Sequence, residues 1–282
     1  MQTVTTLDPL RRALAVMRQD GPVALVPTMG ALHEGHLALV REARAKARHV
    51  VVSIFVNPRQ FGPNEDLARY PRQLEQDSEL LRAEGVSLLW APGAEAMYPD
   101  GYASSVSVSG ISEGLCGAAR PGHFDGVATV VLKLFNQVQP DLALFGEKDW
   151  QQLAVIRRMA LDLDLTSPAA AAIHAVPTVR ERDGLALSSR NAYLSVEQRA
   201  EAACLPRAMD AAIAKLRAGE AHMAVEDALK ADLLAGGFAS VDYAEFRHAE
   251  DLAIPLESRD KPLRLFVAAR IGATRLIDNK PV

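Results

Sequence analysis

The sequence lacks several features that mark particular classes of protein. Its 282 residues include only two cysteines, Cys116 and Cys204, which stand far apart and form no Cys-x-x-Cys pair. This spacing argues against a disulfide framework and against a zinc ribbon. No apolar run approaches the roughly twenty residues that cross a bilayer, and residues 1–6 lack the basic-then-apolar pattern of a signal peptide. We therefore expect a cytoplasmic protein with no membrane partner.

A basic excess is also missing. The 31 basic and 35 acidic residues give a formal net charge of −4, whereas a nucleic-acid-binding protein is expected to carry a basic surplus or patch. We therefore predict no nucleic-acid partner. The hydrophobic content of 49% and charged content of 23% are those of an ordinary globular protein, and the length accommodates two domains.

Strand-like and helix-like patterns alternate from residue 23 to residue 176. Short apolar runs predict strands at Val23–Val26, His49–Asn57, Val86–Trp90, Asp141–Phe145 and Ile173–Val176. Apolar residues at helical spacing predict helices at Leu7–Met17, Leu37–Ala47, Arg72–Glu84 and Val127–Val138, the last with Asp125 as its N-cap. This alternation predicts an α/β fold, a Rossmann-like doubly wound parallel sheet with helices on both faces.

The composition changes after Pro177. Residues 195–218 and 224–235 are alanine-rich and helical in pattern, and the first stretch opens with a capping box at Ser195. Three strand-like runs close the chain at Val241–Phe246, Leu263–Ile271 and Thr274–Asp278. We therefore predict a first domain over residues 1–178 and a smaller C-terminal α/β domain over residues 179–282.

The stretch from Pro27 to His36, Pro-Thr-Met-Gly-Ala-Leu-His-Glu-Gly-His, joins a predicted strand to a predicted helix. The first N–H groups of a helix lack internal partners, and the helix dipole favours an anion beside them. Glycines at 30 and 35 permit a positive φ or a close approach of backbone to ligand. With His33 and His36 at the same turn, the pattern predicts a nucleotide-phosphate site.

Other readings of this turn fit less well. No Gly-Lys-Ser/Thr follows, so it is not a Walker A loop, and the dinucleotide fingerprint Gly-x-Gly-x-x-Gly is absent. A zinc-protease helix needs histidines at i and i+4, whereas His33 and His36 are three residues apart. We therefore predict no protein-held metal ion.

Three further stretches carry candidate polar contacts at strand ends and in one loop. Lys148, in Gly146-Glu-Lys-Asp149, supplies a cation for a phosphate, and Asp149 can orient a hydroxyl or a metal-bound nucleotide. Gln60, Gln151 and Gln152 offer amide groups off the carboxyl ends of strands, where ligands of parallel sheets bind. Leu187-Ser-Ser-Arg190 combines two hydroxyls with a guanidinium fork. Each of these patterns, taken alone, is also typical of a solvated turn.

Taken together, the motifs resemble those of the pantoate–β-alanine ligase family over essentially the whole chain. The matching segments are Pro27–His36, Phe55–Phe61, Arg120–Val131, Gly146–Gln152 and Asp183–Asn191. The His-x-Gly-His element alone is less specific, because a wider nucleotidyltransferase superfamily shares it. Trp150 stands where the family usually has Phe or Tyr.

The resemblance implies a ligase of pantothenate biosynthesis, in the coenzyme A pathway. Such an enzyme condenses pantoate with β-alanine, consumes ATP, and releases AMP and pyrophosphate through a pantoyl-adenylate intermediate. It also implies a homodimer, with Mg²⁺ bound through the phosphates of ATP and not by protein ligands.

The resemblance also implies roles for individual residues. His36 takes the position of a proton donor, and it would stabilise charge in the transition state together with His33, Lys148 and Arg190. Gln60 and Gln152 would bind pantoate, with Gln60 also near β-alanine. The implied ATP contacts are Met29, Gly30, Ala31, Leu32, His33, Glu34, Gly35, His36, Gly146, Glu147, Lys148, Asp149, the backbone at Val179, Leu187, Ser188, Ser189 and Arg190.

Two other functions remain open at this point. One is a nucleotidyltransferase of the same His-x-Gly-His superfamily that acts on a different acceptor. A phosphorylated acceptor would call for more basic groups, whereas Gln60 and Gln152 suit a hydroxyl and a carboxylate. The other is a non-catalytic nucleotide-binding or tRNA-binding module, which the acidic balance disfavours for tRNA.

Overall fold

The computed structural model describes residues 1–63, 65–255 and 261–282. Its strands are β1 Gln2–Val4, β2 Val23–Thr28, β3 His49–Ile54, β4 Leu88–Trp90, β5 Leu142–Gly146, β6 Ile173–Val176, β7 Ser240–His248, β8 Leu263–Ile271 and β9 Thr274–Pro281. Its α-helices are α1 Leu7–Asp20, α2 Glu34–Lys46, α3 Leu74–Ala83, α4 Ala94–Met97, α5 Cys116–Ala119, α6 His123–Val138, α7 Trp150–Asp162, α8 Val196–Ala202, α9 Cys204–Arg217 and α10 His222–Ala235.

The first six strands form one parallel sheet in the order β1-β4-β3-β2-β5-β6. From β2 the chain winds outward through β3 to β4, and then returns to the other side of β2 to form β5 and β6. The order of the strands therefore reverses between β2 and β5, which confirms the predicted doubly wound α/β fold.

Helices cover both faces of this sheet. Because successive residues of a strand point to opposite sides, each central strand contributes side chains to two separate cores. On β2, Val23 and Leu25 pack into a core shared with α1, α6 and α7. Ala24 and Val26 pack into a second core shared with α2 and α3. Burial on both sides explains why the sequences of the central strands are almost continuously apolar.

The remaining strands form an antiparallel sheet in the order β7-β8-β9, which confirms a smaller C-terminal α/β unit. Leu265 and Val267 on β8 face α9 and α10, whereas Phe266 and Ala268 join the core that also contains α1, α6 and α7. The small sheet is therefore packed between its own helices and the first part of the chain. The domain division at residue 178 stays a prediction.

Some local predictions differ from the structure. Helix α6 begins at His123 with Gly122, at φ 77°, as its N-cap, so the prediction of Asp125 as N-cap is wrong. Asp125 lies instead in the first helical turn, where its carboxylate interacts favourably with the helix dipole. Strand β1 had no sequence signal, because its three residues include only one buried side chain. The capping box at Ser195 is present.

In the described ranges, no helix combines the length and the apolar character needed to span a bilayer.

We predict that Leu25→Ala destabilises the protein by about 3 kcal/mol, because Leu25 is fully buried in β2 and its truncation leaves a cavity. The free energy of unfolding in urea, measured by circular dichroism, checks this value. Leu161→Ala is the matched control, since Leu161 is 59% exposed on α7, and we expect it to change stability by less than about 0.5 kcal/mol. Equal effects of the two changes would contradict the assignment of the core.

Candidate active site

A cavity of about 230 Å³ lies at the carboxyl ends of β2, β3 and β5. It sits where the strand order reverses, the position at which open parallel sheets bind ligands. Helix α6 contributes Val127, Val130, Val131 and Leu134 to the apolar part of its wall.

The turn after β2 is fixed from below by Asp77 of α3, which is completely buried. Its two carboxylate oxygens accept the N–H groups of Ala31 and Leu32, both at 2.9 Å. Gly30 has φ 82°, and a Cβ added there would lie 3.0 Å from the Asp77 carboxylate. Only glycine fits this close approach without strain. The N–H groups of Ala31 and Leu32 are thus used inside the protein and do not face the cavity.

His33 and His36 cap helix α2 reciprocally. The Nδ1 atom of His33 accepts the N–H of Gly35 at 3.1 Å, and the Nδ1 atom of His36 accepts the N–H of His33 at 3.3 Å. A neutral imidazole has one acceptor and one donor nitrogen, so both rings carry their proton on Nε2. The expectation that bare helix N–H groups face a phosphate is therefore not met at Gly35 and His33, because the imidazoles take up their N–H groups and each ring keeps one donor at Nε2.

Burial keeps both rings neutral. Together with the charge of the nearby Lys148, it lowers the pKa of His36 to about 3 and that of His33 to about 4. The ring centroids are 4.1 Å apart, so a charge on one ring also opposes a charge on the other. The two histidines therefore act at neutral pH as hydrogen-bond donors without charge.

The turn after β5 contributes Lys148 and Gln152 to the wall of the cavity. The Lys148 side chain is 19% exposed, and its Nζ lies 3.8 Å from the Asp149 carboxylate. Gln152 also lines the cavity, whereas Gln151 points away. The Gln151 amide bonds the N–H of Cys116 and the carbonyls of residues 111 and 114, so the prediction of a ligand contact for Gln151 is wrong.

Gln60 follows β3 in a 3₁₀ turn at Pro58–Gln60. Its Oε1 accepts from Asn57 Nδ2 at 3.0 Å, and its Nε2 lies 3.2 Å from the sulfur of Met29. A Cβ added at Gly126 would lie 2.4 Å from the Arg59 carbonyl oxygen, so α6 packs directly against this turn. The Gln60 side chain is therefore fixed at the cavity wall.

Arg120 and His123 line the cavity, although neither residue had a predicted role. His123 Nδ1 donates to the Gln60 carbonyl at 2.9 Å, and Arg120 donates to the same oxygen at 3.2 Å. Burial, assisted by Arg120, lowers the pKa of His123 to about 4. The sequence signal that could have identified these two residues is their place in the family motif Arg120–Val131. Their side chains hold the backbone carbonyl of Gln60.

The segment after β6 also contributes to the wall of the cavity. Val179, Leu187, Ser188 and Ser189 line it. The Ser189 hydroxyl lies 3.3 Å from that of Tyr70, a lining residue that sequence reasoning also missed.

Arg190 also lines the cavity, but its guanidinium is engaged. Nε and Nη2 donate to the Asp66 carboxylate at 2.9 and 2.8 Å. Nη1 takes no part in this pair, so its N–H groups can donate to a bound phosphate while the pair stays intact.

The predicted site residues divide into two groups. The lining residues are Met29, His33, Gly35, His36, Gln60, Gly146, Lys148, Asp149, Gln152, Val179, Leu187, Ser188, Ser189 and Arg190. Residues predicted to contact ATP that do not line this cavity are Gly30, Ala31, Leu32, Glu34 and Glu147. Glu34 instead pairs with Arg41, and Glu147 lies 3.8 Å from Arg264. The roles assigned to all these residues stay predictions.

Within residues 1–63, 65–255 and 261–282, no three His, Cys, Asp or Glu side chains are arranged to hold a metal ion.

We predict that His36→Asn reduces the loss of stability in acid. The folded pKa of His36 is about 3, below the unfolded value of 6.5, so the unfolded chain takes up the proton first. Stability therefore falls as the pH drops from about 6.5 toward 3, and this histidine contributes about 1–2 kcal/mol of loss between pH 7 and pH 5. Asparagine does not titrate, and its amide oxygen can still accept the His33 N–H.

Urea unfolding at about pH 7 and about pH 5 measures this difference for the wild type and the variant. The same loss in both proteins would show that His36 is protonated in the folded state at pH 5.

Comparison with known proteins places this geometry in a family. Residues 2–281 match the model of the family described as pantoate-beta-alanine ligase. A pantothenate synthetase of Novosphingobium aromaticivorans is 63% identical over 100% of this chain and 99% of its own length. One from Methylococcus capsulatus is 56% identical over 99% of this chain and 97% of its own.

Solved structures agree with this match. The crystal structure of pantothenate synthetase from Thermus thermophilus is 50% identical, covers 99% of each chain and superposes with a TM-score of 0.90. That of pantoate-beta-alanine ligase from Francisella tularensis, complexed with beta-gamma ATP and beta-alanine, is 32% identical, covers 100% of this chain and 97% of its own, and has a TM-score of 0.81. The chain therefore belongs to the pantoate–β-alanine ligase family.

Proposed function

We propose that this enzyme condenses pantoate with β-alanine at the expense of ATP, and forms pantothenate, AMP and pyrophosphate through pantoyl adenylate. The main structural support is that one cavity is lined both by His33, His36 and Lys148 and by Gln60 and Gln152. The first group suits phosphates and the second suits an uncharged hydroxyl and a carboxylate. A phosphorylated acceptor would find fewer partners among these amides.

In the first step, a carboxylate oxygen of pantoate attacks the α-phosphorus of ATP, and the bond to the β-phosphate oxygen breaks to release pyrophosphate. Negative charge grows on the nonbridging α-oxygens and on the leaving group. Backbone hydrogen bonds hold the His33 and His36 rings in place before the reaction, and Lys148 lines the same cavity, so the three groups would stabilise this charge with little reorganisation. Since the pKa of His36 is about 3, we assign it a donated hydrogen bond and not a transferred proton.

Pantoate would lie between the two glutamines and the face of α6. Gln60 directs its Nε2 toward the Met29 side of the cavity because Asn57 holds its Oε1. Val130 and Val131 offer an apolar surface for the two methyl groups of pantoate.

In the second step, the free amine of β-alanine attacks the acyl carbon of the adenylate, AMP leaves, and the amine loses a proton. Hydrolysis of the adenylate is the competing reaction, so the site must exclude water. We assign this function to the segment at 178–194, whose residues Leu187 and Ser189 already line the cavity.

Mg²⁺ would enter with ATP, and its charge would offset that of the phosphates. Most of its ligands would be phosphate oxygens and water, as Mg²⁺ prefers, and the Asp149 carboxylate in the cavity wall fits as a protein partner. The family resemblance also leads us to propose a homodimer in the cytoplasm.

Pyrophosphate release from Mg·ATP tests the proposed reaction. With pantoate alone we expect a single-turnover burst, because the adenylate stays bound, and with β-alanine added we expect steady production of AMP. Release that does not depend on pantoate would reject this function and favour a nucleotidyltransferase with another acceptor.

We predict that Lys148→Ala lowers the single-turnover rate of adenylate formation by about 100-fold or more, because it removes a preplaced cation from the site of charge development. Rapid-quench measurement of pyrophosphate gives this rate. Lys230→Ala is the matched control, since Lys230 lies on α10 and pairs with the exposed Asp227. A rate within about twofold of wild type for Lys148→Ala would remove Lys148 from the mechanism.

A further inference from the structure

Asn279 belongs to β9 of the C-terminal sheet, yet its side chain contacts the loop that carries Lys148. Its Nδ2 donates to the carbonyl oxygens of Glu147 at 2.9 Å and of Lys148 at 2.8 Å. Asn279 is only 3% exposed, and it does not line the cavity. Any effect of this residue on the reaction must therefore pass through the loop that it holds.

The chemistry of the neighbours fixes which way the Asn279 amide points. Its Oδ1 accepts from the guanidinium of Arg264, which can only donate. Its Nδ2 faces two carbonyl oxygens, which can only accept. If the amide were flipped, its NH₂ group would face the Arg264 guanidinium and its oxygen would face the two carbonyl oxygens. The contacts therefore fix the orientation of the amide.

Arg264 extends the same contact to the start of α7. Its guanidinium carbon lies 3.5 Å from the centroid of the Trp150 ring, and Trp150 Nε1 donates to the Ala249 carbonyl at 2.8 Å. The C-terminal domain therefore holds the backbone on both sides of the Lys148 side chain. This packing gives Trp150 a structural role in the loop.

We propose that Asn279 is a positioning residue for adenylate formation, an inference that rests on the proposed function. Two hydrogen bonds to consecutive carbonyls fix the planes of two adjacent peptide groups. Those planes set the direction in which the Lys148 side chain enters the cavity. Without them the loop relaxes, and a displacement of about 1 Å at the reacting atoms can cost about 100-fold in rate.

The second half-reaction provides a contrast. Attack of β-alanine on the adenylate breaks a bond to AMP after pyrophosphate has gone, and it places less charge near Lys148. A defect in the position of Lys148 should therefore slow adenylate formation selectively, whereas a general loss of folded protein would slow both half-reactions by the same factor.

The test compares Asn279→Asp with the wild type in two separate assays. Aspartate keeps the shape and the acceptor for Arg264, but it replaces the two N–H donors with an oxygen. We expect single-turnover pyrophosphate release from Mg·ATP and pantoate to fall by about 100-fold. Formation of pantothenate from chemically prepared pantoyl adenylate and β-alanine should stay within about twofold. Asn279→Ala should give the same split without a buried charge.

Leu276→Ala is the matched control for stability. Leu276 lies on the same strand and is 4% exposed, but it packs toward the helices of the C-terminal domain. We expect a lower melting temperature with no difference between the half-reactions. Unchanged adenylate formation in both Asn279 variants, or equal losses in the two assays, would overturn the proposal.

The affinity for Mg·ATP separates this proposal from the proposed function. A wild-type enzyme that releases no pyrophosphate with pantoate would count against the proposed function alone. Calorimetry then decides on Asn279, because loss of a positioned Lys148 should weaken binding of Mg·ATP by about tenfold in Asn279→Asp. An unchanged dissociation constant in that case would overturn the positioning role.

Discussion

The reversal of strand order between β2 and β5 is the constraint on which the site depends. Strands β2 and β5 pair in parallel, Ala24 with Leu142 and Leu25 with Ala143, but the chain leaves them in opposite directions. Their helices therefore lie on different sides, and the crevice between the two carboxyl ends stays open. The histidine turn follows β2 and Lys148 follows β5, so the winding of the sheet brings them together across more than a hundred residues.

Inside that crevice, internal hydrogen bonds decide what each polar group can do. The Nδ1 atoms of His33 and His36 accept backbone N–H groups, which leaves each ring a single donor at Nε2. Burial keeps these rings uncharged, and Lys148 supplies the positive charge. His123 is also fixed by a backbone group, but it donates from Nδ1 to the Gln60 carbonyl and so carries its proton on that nitrogen. The site is thus organised before any substrate binds, as electrostatic stabilisation of a transition state requires.

The C-terminal sheet supports the site through two side chains of β9. Neighbouring residues of β9 hold two different loops. Asp278 pairs with Arg180, at the start of the segment after β6, and Asn279 donates to the carbonyls of Glu147 and Lys148. The Asp278 side chain is completely buried, so loss of its partner would leave an uncompensated charge. Both loops therefore rest on one strand of the C-terminal sheet.

The sequence by itself determined the elements whose signals are local. Strands Ile173–Val176 and Leu263–Ile271 have the predicted bounds because short, mainly apolar runs that stop at Pro177 and at Gly272 specify buried strands. The motifs at 27–36, 146–149 and 187–190 supplied most of the predicted residues that line the cavity, and Gln60, Gln152 and Val179 supplied the others. Tertiary structure alone decided the rest, because the decisive contacts join distant residues: Asp77 bonds the N–H of Ala31 across 46 positions, and Asn279 bonds Lys148 across 131. A buried polar side chain leaves no periodic signal in the sequence, since its partner is set by packing.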